Sequence, residues 1–322
     1  MREALFIKKN KERWEQLGSS KQASADDLAD EFIQLVDDLG YAKTFYPHSK
    51  ITRFLNAQAA RRYLAIYKNR KEDRNKLANF FTHKVPLTIA RHHGVLLFCF
   101  IVFVAFFSLG FVSASRDVYF VREMLGDDYV ATTEANIAAG NPFGIYQQGN
   151  SFFMFLGILI NNASVAFRFF AEGVFFGIFT IKDLAGEALR IGAFEQMFFS
   201  KGLGQMSVLT VFIHGTLELA AIIVAAASGV VLGKGWLFPG THTRLYALKQ
   251  AAKDGVTIIT AIVPVLVMAA FFEGFVTRHY KMPAVFSLLI LALSLAFIVG
   301  YFVVWPLKLK KRAKQKGGIA DV

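Results

Sequence analysis

Between Gly94 and Val112 the chain carries no charged residue. An apolar run of about eighteen residues or more is what an α-helix needs to span the hydrocarbon of a bilayer, and helices in the core of a water-soluble domain rarely look like it. Further runs follow at Ser151 to Ile181, Gln205 to Leu232, Val256 to Phe275 and Pro283 to Trp305. Backbone amides and carbonyls in lipid have to be satisfied within their own segment, so these runs are expected to be helices rather than isolated strands. The fold class predicted is all-α. A cytoplasmic helical region over 1–93 precedes a polytopic transmembrane bundle of about six segments over 94–307, and a basic cytoplasmic tail covers 308–322.

Charge gives this layout a direction. The chain has 36 Lys and Arg against 24 Asp and Glu, an excess that in another context would suggest nucleic acid. In a membrane protein its position decides the reading. Residues 1–93 hold eighteen basic residues against eleven acidic, and Lys308, Lys310, Lys311, Arg312, Lys314 and Lys316 crowd the tail. By the positive-inside rule both ends are cytoplasmic, beside anionic lipid headgroups, and no nucleic-acid partner is expected. The first sixty residues offer no apolar stretch before a small-residue cleavage site, so the first crossing is expected to act as its own insertion signal. The single cysteine, Cys99, lies in that crossing and excludes an intrachain disulfide or a cysteine-cluster metal site.

The N-terminal region reads as helices with breaks. An amphipathic segment from Glu3 to Leu17 ends at the Gly18-Ser19-Ser20 linker. Ser24 with Asp27 forms a capping-box-like start, and Leu28, Phe32, Leu35, Val36 and Leu39 follow at helical spacing until Gly40. A third, basic helix is expected over Ile51 to Thr82, and Pro86 marks an interfacial approach to the first crossing. Residues 114–150, with five acidic and two basic residues around Gly140-Asn141-Pro142, read as an external loop.

Ser151 to Ile181 is the ambiguous stretch. As one helix its residues would run roughly 46 Å against roughly 30 Å of hydrocarbon. A single tilted crossing gives five crossings and leaves the basic tail outside. A hairpin broken at Asn161-Asn162 gives six and places both the tail and residues 234–254 inside; charge parity favours it.

Polar residues at membrane depth usually face the bundle interior. His214 and Glu218 are four apart on one helix face, Glu273 lies late in another crossing, and Arg168 with Glu172 has ion-pair spacing. With Asn161 and Asn162 they form the expected intramembrane polar set. Its plain use is to fix helix packing through interhelical hydrogen bonds. Its sharper uses are an ion or proton path, or a metal held by His214, Glu218 and Glu273, although the second His of a metalloprotease HExxH pattern is missing. No catalytic residue, cofactor or metal is assigned. Gly173 with Gly177, and Gly229 with Gly233, are small-xxx-small pairs that let helices approach closely, either within the chain or across a homodimer seam.

The order of these features resembles the stage II sporulation protein M family. Phe6 to Leu17, FIKKNKERWEQL, is similar to its basic N-terminal pattern ending in Trp and Leu. Ile160-Asn161-Asn162 with Gly173 and Gly177 resembles its asparagine element, and Ile213-His214-Gly215-Thr216-Leu217-Glu218 with Ala220 and Ala221 its most recognisable motif. Ala269 to Gly274, AAFFEG, resembles its late-helix glutamate, and the Pro239-Gly240 turn before Arg244 also fits. The long basic N-terminal region looks like the broader, non-sporulating branch. The resemblance implies a bacterial membrane scaffold that recruits membrane or envelope proteins, since the namesake recruits cell-wall-degrading partners during engulfment and the family has no established catalytic residues. The alternatives are a channel or transporter using the His/Glu/Asn cluster, then an intramembrane metalloenzyme.

Overall fold

A computed structural model describes residues 3–16, 25–68, 75–144, 149–279 and 282–315, and divides the chain into two units, Met1–Lys76 and Leu77–Val322. The first unit has three helices, α1 (Glu3–Gln16), α2 (Ala25–Phe45) and α3 (Lys50–Lys68). Phe6 and Trp14 of α1 meet Leu35, Leu39 and Ala42 of α2 and Leu55 and Ala59 of α3 in a small core. The Trp14 indole donates to Asp38 at 2.8 Å, and Arg13 pairs with the same carboxylate. Gly40 does not end α2, as its sequence position suggested. The helix runs on to Phe45 because Ala42, one turn from Leu39, is fully buried and its carbonyl accepts from the Thr52 hydroxyl. The Gly18-Ser19-Ser20 linker and the Ser24 cap lie outside the described residues.

The expected third helix is described in part. Its described part runs to Lys68, residues 69–74 are not described, and α4 (Lys76–Asn79) is followed in the second unit by a π-helical turn over Phe80–Lys84 and by α5 (Val85–Arg91), which carries Pro86 in its first turn where no amide donor is required. The long helix α6 (His93–Arg116) is followed by two short ones, α7 (Val118–Leu125) and α8 (Asp127–Ala138), where the sequence read as a loop. Asp117 caps α7 by accepting from the Tyr119 amide, and Val121, Val130 and Phe143 fold this segment into an apolar cluster with Ala193, Met197 and Phe198.

Next come α9 (Ser151–Glu172), α10 (Ile178–Ser200), α11 (Gly204–Leu237), α12 (Arg244–Phe271), α13 (Ala284–Val299) and α14 (Trp305–Gln315). A π-helical turn over Phe272–Val276 and a 3₁₀ turn over Thr277–His279 extend α12, and a π-helical turn over Gly300–Val304 joins α13 to α14. Five helical stretches are long and apolar enough to cross a membrane: His93–Arg116, Ser151–Glu172, Gly204–Leu237, Arg244–Val276 and Ala284–Arg312.

These helices are inverted relative to a water-soluble bundle. The buried residues of α13 are Ser287 and Ser294, while Val285, Leu288, Leu289 and Leu293 are more than half exposed. On α6, Leu97, Phe100 and Ile101 face outward in the same way. A surface this apolar is stable only against hydrocarbon. The chain is therefore a multi-pass helical membrane protein.

Close approach is achieved through glycine. A Cβ on Gly173 would stand 2.2 Å from the Gly229 carbonyl oxygen, and one on Gly233 would stand 2.4 Å from the Gly177 amide nitrogen. Both glycine pairs picked out from the sequence thus pack against each other within the chain, the first of the two uses that their spacing allowed. A second contact of this kind joins α6 to α10, where a Cβ on Gly192 would lie 2.2 Å from the Phe107 carbonyl and one on Gly110 would lie 2.3 Å from that of Leu189.

The expected break at Asn161-Asn162 is not present. Helix α9 is continuous from Ser151 to Glu172, and the chain reverses over residues 173–177, with Phe176 and Gly177 at φ 59° and 75°. Glycine supplies the left-handed geometry of that reversal. Asn162 has no need to break the helix, because its side chain finds a partner inside the bundle. The two short helices expected within 151–181 do not form; the reversal after Glu172 instead joins α9 to α10, which runs on to Ser200.

Direction follows from pairwise contacts. Phe111 and Phe199 meet at 5.5 Å near the C-terminal ends of α6 and α10, so these two run the same way. Asn162 meets Glu218 at mid-helix and Gly173 meets Gly229 further on, so α9 and α11 run together, and α12 runs against them. One end of the bundle gathers the start of α6, the start of α12 and the end of α13. There Asp254 bridges Arg91 at 3.1 Å and His92 at 2.8 Å, while the Tyr301 hydroxyl and Trp305 indole donate to the carbonyls of Phe81 and Thr82. The opposite end gathers α7, α8 and the turns before α11 and after α12, joined by Lys201 to Glu134 and by Arg278 to the Gly149 carbonyl.

Candidate functional site

Helix α11 carries a buried polar line. Ser207, His214 and Glu218 recur at seven and four residues, spacings that keep them on one face. Ser207 donates to Glu195 of α10 at 3.2 Å, and both are almost fully buried. One helical stretch further, His214 is 3% exposed and its Nδ1 lies 2.9 Å from the Thr277 hydroxyl. Its Nε2 faces Glu273 with 4.0 Å to Oε2, wider than a direct hydrogen bond.

Glu273 and Thr277 reach α11 because the π-helical turn and the 3₁₀ turn that end this crossing both pack against it. Gly274, between them, keeps the α9 side open: a Cβ there would stand 3.2 Å from that of Phe155. The Asn162 amide of α9 donates to Glu218 Oε1. His214, Glu218 and Glu273 each offer a ligand-type atom, and these atoms all lie within 4.8 Å of one another. Three helices therefore converge on one imidazole, two carboxyls, an amide and a hydroxyl.

The set expected from the sequence separates into three places. His214, Glu218, Glu273 and Asn162 come together. Arg168 and Glu172 lie at the hairpin end of α9, where Arg168 stands 3.7 Å from Glu172 and 3.6 Å from Asp183, and Lys182 pairs with Asp183 at 3.0 Å. Asn161 turns outward: it is exposed, and among the described residues its amide reaches the neighbouring Asn162 oxygen at 3.4 Å.

Sequence reasoning missed Thr277, Glu195 and Asp183. Thr277 sits in a short turn after a crossing and carries no signal of its own. Glu195 was legible in principle, because Ala188, Gly192 and Glu195 share a face at helical spacing, so a carboxyl follows two small residues on a packing surface. Its Oε2 has no hydrogen-bond partner among the described residues.

Comparison with known proteins bears on the bundle and on the first unit separately. A family profile described as stage II sporulation protein M matches residues 96–278, which include the whole polar cluster, and a domain family of unknown function matches residues 4–68. No curated protein and no solved structure matches the chain. The family match covers more than half of the sequence and contains the asparagine, histidine and glutamate elements whose side chains meet here; the chain belongs to the stage II sporulation protein M family.

Proposed function

We propose that this protein is a scaffold of a bacterial cytoplasmic membrane, gathering other membrane or envelope proteins around a helical bundle whose N-terminal unit and basic tail lie on the cytoplasmic side. The observation that carries the reading is the outer face of α9. Gly157, Asn161, Ser164 and Arg168 recur at four, three and four residues and are all exposed, so one stripe of a membrane helix shows small and polar groups outward. Nothing lies within 4 Å of where a Gly157 side chain would begin. Lipid offers an amide no partner, whereas a neighbouring helix does, and small residues let it come close. Family membership supports the same reading, as does the folded segment of α7 and α8 at the opposite end of the bundle.

Copurification from mild detergent tests it. The expected result is a stoichiometric membrane partner that crosslinks through a photoreactive residue placed at position 161 and is lost in Asn161→Leu. The polar cluster favours a second reading, transport of a proton or cation. Reconstituted vesicles showing flux that disappears in Glu218→Gln, from a protein that emerges alone in every detergent, would replace the scaffold with a transporter.

A further inference from the structure

We propose that His214, Glu218 and Glu273 bind one divalent transition-metal ion, of the zinc class, inside the bundle. The proposal is independent of the scaffold reading.

Charge is the first argument. Two carboxyls lie within 4.8 Å of each other at membrane depth, and among the described residues neither is salt-bridged to a lysine or arginine. Unscreened anionic charge is costly in hydrocarbon, so such groups take up a cation or protons. A divalent ion with two glutamates and a neutral imidazole makes a site of zero net charge.

Ligand chemistry is the second. One nitrogen and two oxygens from three residues is a set that zinc accepts at about 2.0–2.2 Å. In a tetrahedral shell of that radius the ligand atoms stand about 3.4 Å apart. The observed spread, 4.0 Å between His214 Nε2 and Glu273 Oε2 and at most 4.8 Å overall, is wider than that shell by about 0.6–1.4 Å, the distance the side chains would close on binding. The hard-cation alternatives are disfavoured by the imidazole, and Cys99 contributes nothing: it lies in the first half of another helix and is not among the convergent groups.

Orientation is the third. A metal-bound histidine usually donates its second ring N–H to a neighbour that fixes tautomer and direction. Thr277 stands at His214 Nδ1 in that role and turns Nε2 toward Glu273. Asn162 does the same for Glu218, since its amide donates to one carboxylate oxygen and so fixes the direction of the carboxyl. Each of the three helices thus brings either a ligand or a group that aims one, and the ion would cross-link α11 to the end of α12 with α9 braced against both.

The test uses the full-length protein in detergent, purified through a tag without histidine, stripped with a chelator and titrated with Zn²⁺ against a chromophoric competitor, and separately with Co²⁺. The expected result is one ion per chain, a visible Co²⁺ spectrum of low coordination number, and X-ray absorption showing only nitrogen and oxygen ligands. Glu218→Gln and His214→Ala abolish the site. Thr277→Val, which removes an aiming group and no ligand, weakens affinity about 10–100-fold; this variant and the wild-type spectra decide the matter if the ligand variants do not fold. Stripped wild-type protein that takes up neither ion more tightly than Glu218→Gln overturns the proposal, and so does an absorption spectrum containing sulfur. Affinity unchanged in Thr277→Val removes the assigned orientation and with it this site.

Discussion

Replacing Gly229 by alanine is the sharpest probe of the bundle, because local and tertiary effects have opposite signs. In a helix interior, alanine is favoured over glycine by about 1 kcal/mol, so an isolated α11 would gain stability. In the folded chain the new Cβ would stand 2.2 Å from the Phe169 carbonyl oxygen and 2.7 Å from the Thr180 hydroxyl, against 3.4 Å or more for ordinary contact. No rotamer relieves a collision with backbone, so α9 and α11 must separate by about 1 Å, and overpacking of this kind costs about 1–3 kcal/mol. The separation also disturbs the bond that Thr180 donates to Phe169 at 2.9 Å, a loss of about 1 kcal/mol. The net expectation is a destabilisation of about 1–3 kcal/mol. Gly215 in the same helix is the control, since its nearest neighbour beyond its own backbone is a Val211 methyl at 3.9 Å. Gly215→Ala is expected to be neutral or to stabilise by up to about 1 kcal/mol. Unfolding in mixed micelles, followed by the emission of Trp236 beside Phe176, ranks the three proteins. Adding Gly173→Ala to Gly229→Ala should cost less than the sum, because both strain one contact. If Gly229→Ala proves as stable as Gly215→Ala, the backbone approach of α9 to α11 is not a feature of the folded protein and the packing argument fails.

Cysteines placed at Gly240 and Lys311 in a Cys99→Ser background should react only with reagent on the cytoplasmic side, and one at Asp128 only from outside; opposite accessibility of Gly240 and Lys311 would break the arrangement of six alternating long helices. Tyr301→Phe removes the donor to the Phe81 carbonyl in the π-helical turn and should lower stability by about 0.5–1.5 kcal/mol; no change would mean that carbonyl is satisfied in another way. Asp38→Ala removes the partner of both Trp14 and Arg13 and should cost about 1.5–3 kcal/mol within the N-terminal unit, read as faster proteolysis there while the membrane unit stays intact; unchanged digestion would show that this part-buried bond does not hold α1 to α2.

What the sequence could and could not disclose is clearest at α10. Its neighbours announce themselves by hydropathy, because a helix that touches lipid on most of its surface must be apolar on most of its residues. Helix α10 carries Lys182, Asp183, Glu187, Arg190 and Glu195, which removes it from any hydropathy criterion. Yet it lies along α6 through Gly192 and Gly110, and its charges are spent locally: Lys182 and Arg168 on Asp183, Arg190 on Glu187, Glu195 on Ser207. Pairing is a tertiary property, and no window of sequence contains it. The same reason explains the misplaced break in α9. An asparagine pair in an apolar run looks like a liability while its partner is unknown, and the partner of Asn162 is fifty-six residues away at Glu218. The His214, Glu218 and Glu273 cluster was legible for the converse reason: ionisable groups at membrane depth have few tolerable positions, so their presence in two crossings already required those faces to oppose. Their count of charges was legible too, and it requires that positive charge be supplied to the pair of carboxyls. Hydrogen bonds from Asn162 and Thr277 neutralise no charge, and where two carboxyls meet with no lysine or arginine paired to them among the described residues, the positive charge has to come from bound protons or from the ion proposed here.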